Sequence, residues 1–325
     1  MTPGEPLARA NGRIPVLYSA LGAVLHLEKL GPEDGERLDR ACDLLWDWMG
    51  ASLRLTLLSC APEVEATRRA HLDYISSYAE SLDVRAADDP STQKLLNNLT
   101  KMGRNDHEVL CGGGDDPREA SPFSLHFWSE IGGVSPTDLR LPAYPVLSFT
   151  VPDAWPLDDF YQRTTAIAAE LRLRWGAAGY TYAGFGLHAH NEPEQRRYAH
   201  ARRYPGYDVA QYVRMVQPFY ARIRTVSWLT FLGASMVEQL QKAGQVMAPV
   251  GGVDVRPHGD GVLLRAGGAP ERGDVNRLNF PAAYRAADAL VRPLRAADGR
   301  GMTFLGPWDE ASITEWLRRF EHRVS

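Results

Sequence analysis

Trp228-Leu229-Thr230-Phe231-Leu232-Gly233, then Gly259-Asp260-Gly261-Val262-Leu263-Leu264-Arg265-Ala266-Gly267, then Gly273-Asp274-Val275-Asn276 form the most strongly marked part of this chain. Apolar, β-prone runs alternate here with glycine, which punctuates strands and turns. Val226–Phe231 reads as a strand and Ser235–Lys242 as a helix. Val253–Arg256 and Val262–Ala266 flank the Gly259-Asp260-Gly261 turn as a hairpin. Trp228 and Phe231 read as core, and Gly233, Gly261, Gly267 and Gly273 as backbone devices. Asp274 and Asn276 beside Gly273 suit a turn closed by side chain to backbone hydrogen bonds. No catalytic group is assembled in this region. The best-marked part of the chain is a scaffold, which favours a binding protein over an enzyme.

Working outward, the remaining elements alternate in type. Residues 1–13 read as a frayed polar arm, and 14–325 as one compact domain. Val16–Leu27 is a strand. Leu38, Ala41, Cys42, Leu45, Trp48 and Met49 fall at helical spacing and end at Gly50. Leu53, Leu55 and Leu57 alternate as a half-buried strand, followed by a polar helix over Glu63–Leu82. Residues 83–120, with Asp88-Asp89-Pro90 and Gly112–Pro117, read as a flexible acidic loop region. Phe123–Phe127 and Pro145–Val151 are strands. Leu157, Phe160, Tyr161, Thr164, Ile167, Ala168, Leu171 and Trp175 continue a helical stripe that Gly176 would end. Tyr180–Leu187 is a strand, and Val209–Ile223 a helix kinked at Pro218. Pro281–Leu294 and Pro307–Phe320 are helices with proline near the start. The pattern predicts an α+β fold, mainly antiparallel, with helices packed on one side of the sheet. A β-α-β order near the start and again over 145–187 suggests two related halves.

Composition narrows the function. A net charge of -4 argues against a general nucleic-acid binder, whose phosphate contacts need a basic excess. Cys42, Cys60 and Cys111 are odd in number and form neither a CxxC pair nor a metal spacing, which fits a reducing compartment. No window approaches the roughly 20 apolar residues that span a bilayer. The expected location is the cytoplasm, with no membrane contact.

Several groups could carry chemistry. Gly184-Phe185-Gly186-Leu187-His188-Ala189 fits the G-x-G-x-x-A form of a dinucleotide fingerprint. Glu192-Pro193-Glu194, however, stands where the phosphate-binding helix should begin, and its acids would repel a pyrophosphate. His188 and His190, with Glu192, Glu194 or His200, could hold a metal for hydrolysis; a pair of partly exposed histidines at a strand end is the plainer reading. Residues 194–224 interleave Arg196, Arg197, Arg202, Arg203, Arg214, Arg222 and Arg224 with Tyr198, Tyr204, Tyr207, Tyr212 and Tyr220. That pattern suits a nucleic-acid platform, a face paired with the protein's own acids, or a partner surface anchored by Arg202, Arg203 and Tyr204. Ser235, in Gly233-Ala234-Ser235-Met236-Val237, lacks the second glycine of a nucleophile elbow.

The marked strings carry a resemblance. Trp228–Gly233, Gly261–Gly267, Pro270 and Gly273–Asn276 with Tyr284 resemble the type VI immunity family. Gly179-Tyr180 and Ala183-Gly184-Phe185 look like its earlier glycine-aromatic element. The resemblance implies a cytosolic antitoxin that binds and neutralises a cognate secreted toxin domain by occluding its active site. It implies no catalysis, cofactor or metal in the chain itself. Should the toxin have a basic substrate cleft, as nucleases do, Asp106, Glu108, Asp115, Asp116 and Glu119 would form the steering surface. An acidic toxin would instead select the arginine-tyrosine segment.

Overall fold

The computed structural model describes residues 5–10, 12–28, 34–60, 106–115, 119–130, 145–184, 191–209, 222–299 and 307–321. The helix expected over Glu63–Leu82, most of that over Val209–Ile223, and His188, His190 and Asp116 lie outside them.

Among the described residues ten strands form one sheet: β1 (Pro6–Ala10), β2 (Ile14–Leu27), β3 (Leu55–Cys60), β4 (Asp106–Gly112), β5 (Ser124–Glu130), β6 (Val146–Pro152), β7 (Leu173–Ala183), β8 (Leu229–Leu232), β9 (Val253–His258) and β10 (Gly261–Ala266). The spatial order is β3-β4-β5-β6-β2-β7-β8-β10-β9, with β1 paired to β2 off that path. Every strand pair is antiparallel. Among the described residues six α-helices accompany the sheet: α1 (Gly35–Met49), α2 (Leu157–Glu170), α3 (Asn191–Arg203), α4 (Ala234–Lys242), α5 (Ala282–Val291) and α6 (Glu310–Leu317). The α+β, mainly antiparallel architecture follows.

The organising element is β2. Its register pairs Gly22 with Thr150 on one side and Gly179 on the other, so β6 and β7 run parallel to each other with β2 between them. The β6-α2-β7 unit is therefore a crossover that straddles β2. The earlier β2-α1-β3 unit runs instead from the sheet centre to its edge. A Cβ on Gly22 would lie 2.6 Å from the Phe149 carbonyl and 2.7 Å from the Thr150 methyl, so only glycine fits that crossing. Burial runs through consecutive residues of β2, β6, β7 and β8, so both faces of the sheet centre are covered. The one buried face expected from alternation survives toward the outer strands, as in β9, where Arg256 and Pro257 are exposed.

Helical spacing translates directly into packing. Leu38, Ala41, Cys42, Leu45, Trp48 and Met49 are the buried residues of α1, and Phe160, Thr164, Ile167 and Ala168 those of α2. The two helices lie side by side, joined by Arg40 to Glu170 at 2.7 Å and by the Trp48–Phe160 ring contact at 6.1 Å. At α6, Asp309 accepts from the Ser312 backbone N–H at 2.8 Å while Ser312 Oγ accepts from the Asp309 N–H at 2.9 Å, a reciprocal cap.

The structure departs from the sequence reading in four places. The arm expected over 1–13 contributes β1, whose Pro6–Ala10 pairs with Ile14–Tyr18, because the chain turns back on itself at Gly12. Residues 106–112, expected within a flexible loop, are a full strand between β3 and β5, since register with two neighbours outweighs the low strand propensity of acids. The long helix ends at Glu170 rather than at Gly176, and Leu173–Gly176 open β7 instead. Glu192-Pro193-Glu194 begins α3 rather than interrupting it, because a first-turn proline removes an N–H that has no partner in the helix.

Candidate functional site

The backbone brings two distant segments into contact near the C-terminal end of β7. Gly206 donates its N–H to the Arg272 carbonyl at 2.9 Å, and a Cβ on Gly206 would lie 1.8 Å from the Glu271 carbonyl oxygen. Such an approach is open only to glycine. The contact sets the end of α3 beside the Gly273-Asp274-Val275-Asn276 turn. Gly273 takes φ of +66°. Asp274 donates its N–H to the Asn279 carbonyl at 2.7 Å, and Asn279 returns the bond at 3.0 Å. Asp274 also accepts from the Asn276 N–H at 3.0 Å, capping the short 3-10 turn Val275–Arg277. The turn expected from Asp and Asn beside glycine is present. Leu278 completes it with φ of +53°, the single non-glycine residue with positive φ among those described, and is 70% exposed.

Between these segments lies a cleft of about 470 Å³ lined by Tyr180, Arg203, Tyr204, Arg272, Asp274 and Arg277, with Pro270, Glu271, Gly273 and Asn279. Arg203 donates from Nη2 to one Asp274 oxygen at 3.0 Å and from Nε to the other at 3.3 Å, a two-pronged pair. That bond raises the Arg203 pKa and lowers that of Asp274. Arg277 approaches the same carboxylate at 3.8 Å and stays 81% exposed. Arg272 lies 4.5 Å over the Tyr180 ring and donates to Asp153 at 3.0 Å. Three guanidiniums thus face two lining carboxylates, and the cleft is weakly cationic.

An aromatic wall backs it. Tyr180 stacks on Tyr207 at 5.3 Å, and Tyr207 shares a hydrogen bond with Ser19 at 2.7 Å. His200 sits 4.5 Å from Tyr204 and bonds Tyr182 at 2.9 Å. Burial, then the charges of Arg272 and Arg203, lower the His200 pKa to about 4, so its ring is neutral near pH 7.

Of the residues singled out in the sequence, Tyr180, Arg203, Tyr204, Pro270, Gly273 and Asp274 converge on this cleft. Arg202 turns elsewhere, held by Glu315 at 2.9 and 3.0 Å. Asn276 is exposed and contributes its N–H to the Asp274 cap. Trp228 and Phe231 are buried core residues, Trp228 donating to the Gly267 carbonyl at 3.2 Å. Gly233 and Gly261 mark close crossings, where a Cβ would meet the carbonyl oxygens of Leu173 at 1.7 Å and Leu232 at 1.9 Å. Gly267 takes φ of +82°. Arg197 pairs with Glu194 at 2.7 Å and Arg224 with Asp208 at 3.0 Å, all four buried, so much of the arginine-tyrosine segment is matched to the chain's own acids.

The acidic positions fall in another sector of the sheet. Asp106 and Glu108 stand in β4, in register with Glu130 and Trp128 of β5. Asp115 is exposed and paired with Arg54, and Glu119 is half-buried. Among the described residues no three His, Cys, Asp or Glu side chains gather as a metal site, and no helix is long and apolar enough to cross a membrane. Sequence reasoning missed Arg272 and Arg277, and took Tyr180 only as part of the Gly179-Tyr180 element. The first two flank the Gly273–Asn276 string, and that adjacency was the available signal.

A family model described as TsiV, type VI immunity for VRR-NUC, matches residues 56–320. Among solved structures, the Pseudomonas aeruginosa T6SS protein PA0821 is similar in fold, with a TM-score of 0.69 at 20% identity, over 98% of this chain and 87% of that one. No curated protein matches.

Proposed function

The chain belongs to the TsiV family of type VI immunity proteins, and from that premise we propose that it binds a VRR-NUC toxin and blocks its active site, acting by occlusion without catalysis of its own. The observation that carries this reading is the reach of the family match, from β3 to the residue after Arg319. The match thus takes in the β8-β10-β9 motifs and the cleft turn together.

Protection requires that nearly every toxin molecule be held. Nanomolar binding, about -12 kcal/mol, meets that need, and an interface of about 1,600 Å² supplies it when a few contacts are strong. A sheet whose centre is buried on both faces holds the molecular surface around it in place, so little ordering entropy is lost when that surface docks. With a nuclease as the toxin, the acids Asp106, Glu108, Asp115, Asp116 and Glu119 would steer association toward a basic substrate cleft, raising the on-rate more than the affinity. The working compartment would be the cytoplasm, where a nuclease meets its substrate.

The test is direct. The purified chain, added in slight molar excess to a VRR-NUC toxin domain, is expected to stop its cleavage of plasmid DNA, and co-expression is expected to restore growth. Undiminished cleavage at tenfold excess would refute the reading.

A further inference from the structure

Resting on that reading, we propose that the cleft between the end of α3 and the Asp274–Asn279 turn is the short-range anchor for the toxin. It would receive a carboxylate-bearing loop of the partner against Arg277 and the Tyr204 ring while Leu278 is buried beside it.

Four observations point there. Arg203 and Arg277 share the single carboxylate of Asp274, and Arg277 reaches it only at 3.8 Å while remaining 81% exposed, so its charge is available to a second acid. Tyr204 and Tyr180 line the same cleft with Arg203 and Arg272 over their rings at 5.0 and 4.5 Å, and tyrosine and arginine are enriched among interface hot spots. Leu278 projects at the rim, flanked in sequence by the lining residues Arg277 and Asn279, and is 70% exposed. It does so in a left-handed conformation that few non-glycine residues adopt. The paired hydrogen bonds of Asp274 with Asn279 hold it there, so the projection exists before any partner arrives.

The chemistry selects an acidic protein segment over nucleic acid. Asp274 and Glu271 in the cleft and Asp153 behind Arg272 leave room for one carboxylate at Arg277, whereas a phosphate backbone would carry a row of negative charges past all three, on a chain of net charge -4. It would also leave Leu278 in water, whereas a protein surface buries it.

The experiment uses the full chain and a purified VRR-NUC toxin domain from the neighbouring reading frame. Arg277→Glu and Leu278→Asn change exposed side chains, and asparagine accepts the left-handed backbone, so both variants should fold. Each is expected to weaken binding at least tenfold through faster dissociation, while Lys242→Ala, on the exposed end of α4, stays within twofold of the wild type. Binding by both cleft variants within twofold of wild type overturns the proposal and leaves the immunity reading standing. No binding by the wild-type chain overturns the immunity reading itself. Duplex DNA bound at physiological salt by the wild type and lost in Arg277→Glu would make the cleft a nucleic-acid site and also sink the proposal.

Discussion

Replacing Gly233 by alanine isolates the cost of a backbone crossing, because its φ of -72° and ψ of 167° are open to any residue. The added methyl would stand 1.7 Å from the Leu173 carbonyl oxygen, and real contacts below 3.0 Å are essentially unknown, so the strands must part by about 1.3 Å there. That shift strains the bond from the Gly233 N–H to Arg174 at 2.9 Å and the pairing of Leu232 with Trp175 and Val262. It also moves the residue whose carbonyl accepts from Met236 and Val237, each at 3.0 Å, at the start of α4. Overpacking costs about 1–3 kcal/mol and a lost backbone bond about 1, so Gly233→Ala should destabilise by roughly 2–4 kcal/mol. In thermal unfolding this is a fall of roughly 3–6 °C for a chain of this size. Urea titration should show a lower midpoint at unchanged slope. Gly268→Ala is the matched control, with no heavy atom within 4 Å of the new Cβ and no positive φ. It should be neutral or slightly stabilising. Equal stability of the two variants, within about 0.5 kcal/mol, would refute the crossing argument.

Three further outcomes follow. Because the folded His200 pKa lies near 4, below the ordinary histidine value of 6.5, the unfolded chain binds the extra proton between those values. The stability from a neutral His200 is therefore present above pH 6.5 and falls by about 2 kcal/mol on going to pH 5. Urea midpoints should drop less over that interval in His200→Gln, and parallel slopes would contradict the assignment. Asp288→Ala should cost about 3–5 kcal/mol, since it strands the buried Arg295 charge, while Asp115→Ala, breaking an exposed pair, should cost under about 1 kcal/mol in the same unfolding assay. Cys42 and Cys111 are buried, and burial pushes the Cys42 thiol pKa up, so both should react with a thiol reagent only as fast as the protein opens. Rapid labelling of either in native buffer would contradict their placement.

Much of the fold could be read from local pattern. The six apolar positions of α1 and the Gly259-Asp260 hairpin were legible because each depends on residues a few places apart. The end of α2 was not. Leu171 and Trp175 continue the helical stripe, and only pairing of Leu173 and Trp175 with β2 turns that stretch into strand. Likewise Asp106 and Glu108 give no local strand signal, and β4 exists through its two neighbours. The cleft was half visible. Arg203, Tyr204 and Asp274 each stood out, but the Arg203–Asp274 pair depends on the Gly206 crossing, which no spacing rule encodes.

The placement of β2 also governs how the molecule comes into being. This strand is made well before the two strands that flank it along the sheet, which begin only at Val146 and Leu173. Until the ribosome has passed Ala183, the edge of β2 that pairs with β7 is incomplete and exposed to chance association. A cell making this chain must shelter that edge until β7 is complete. Fragments that stop before β7 is finished should accumulate as aggregates rather than as a smaller native unit.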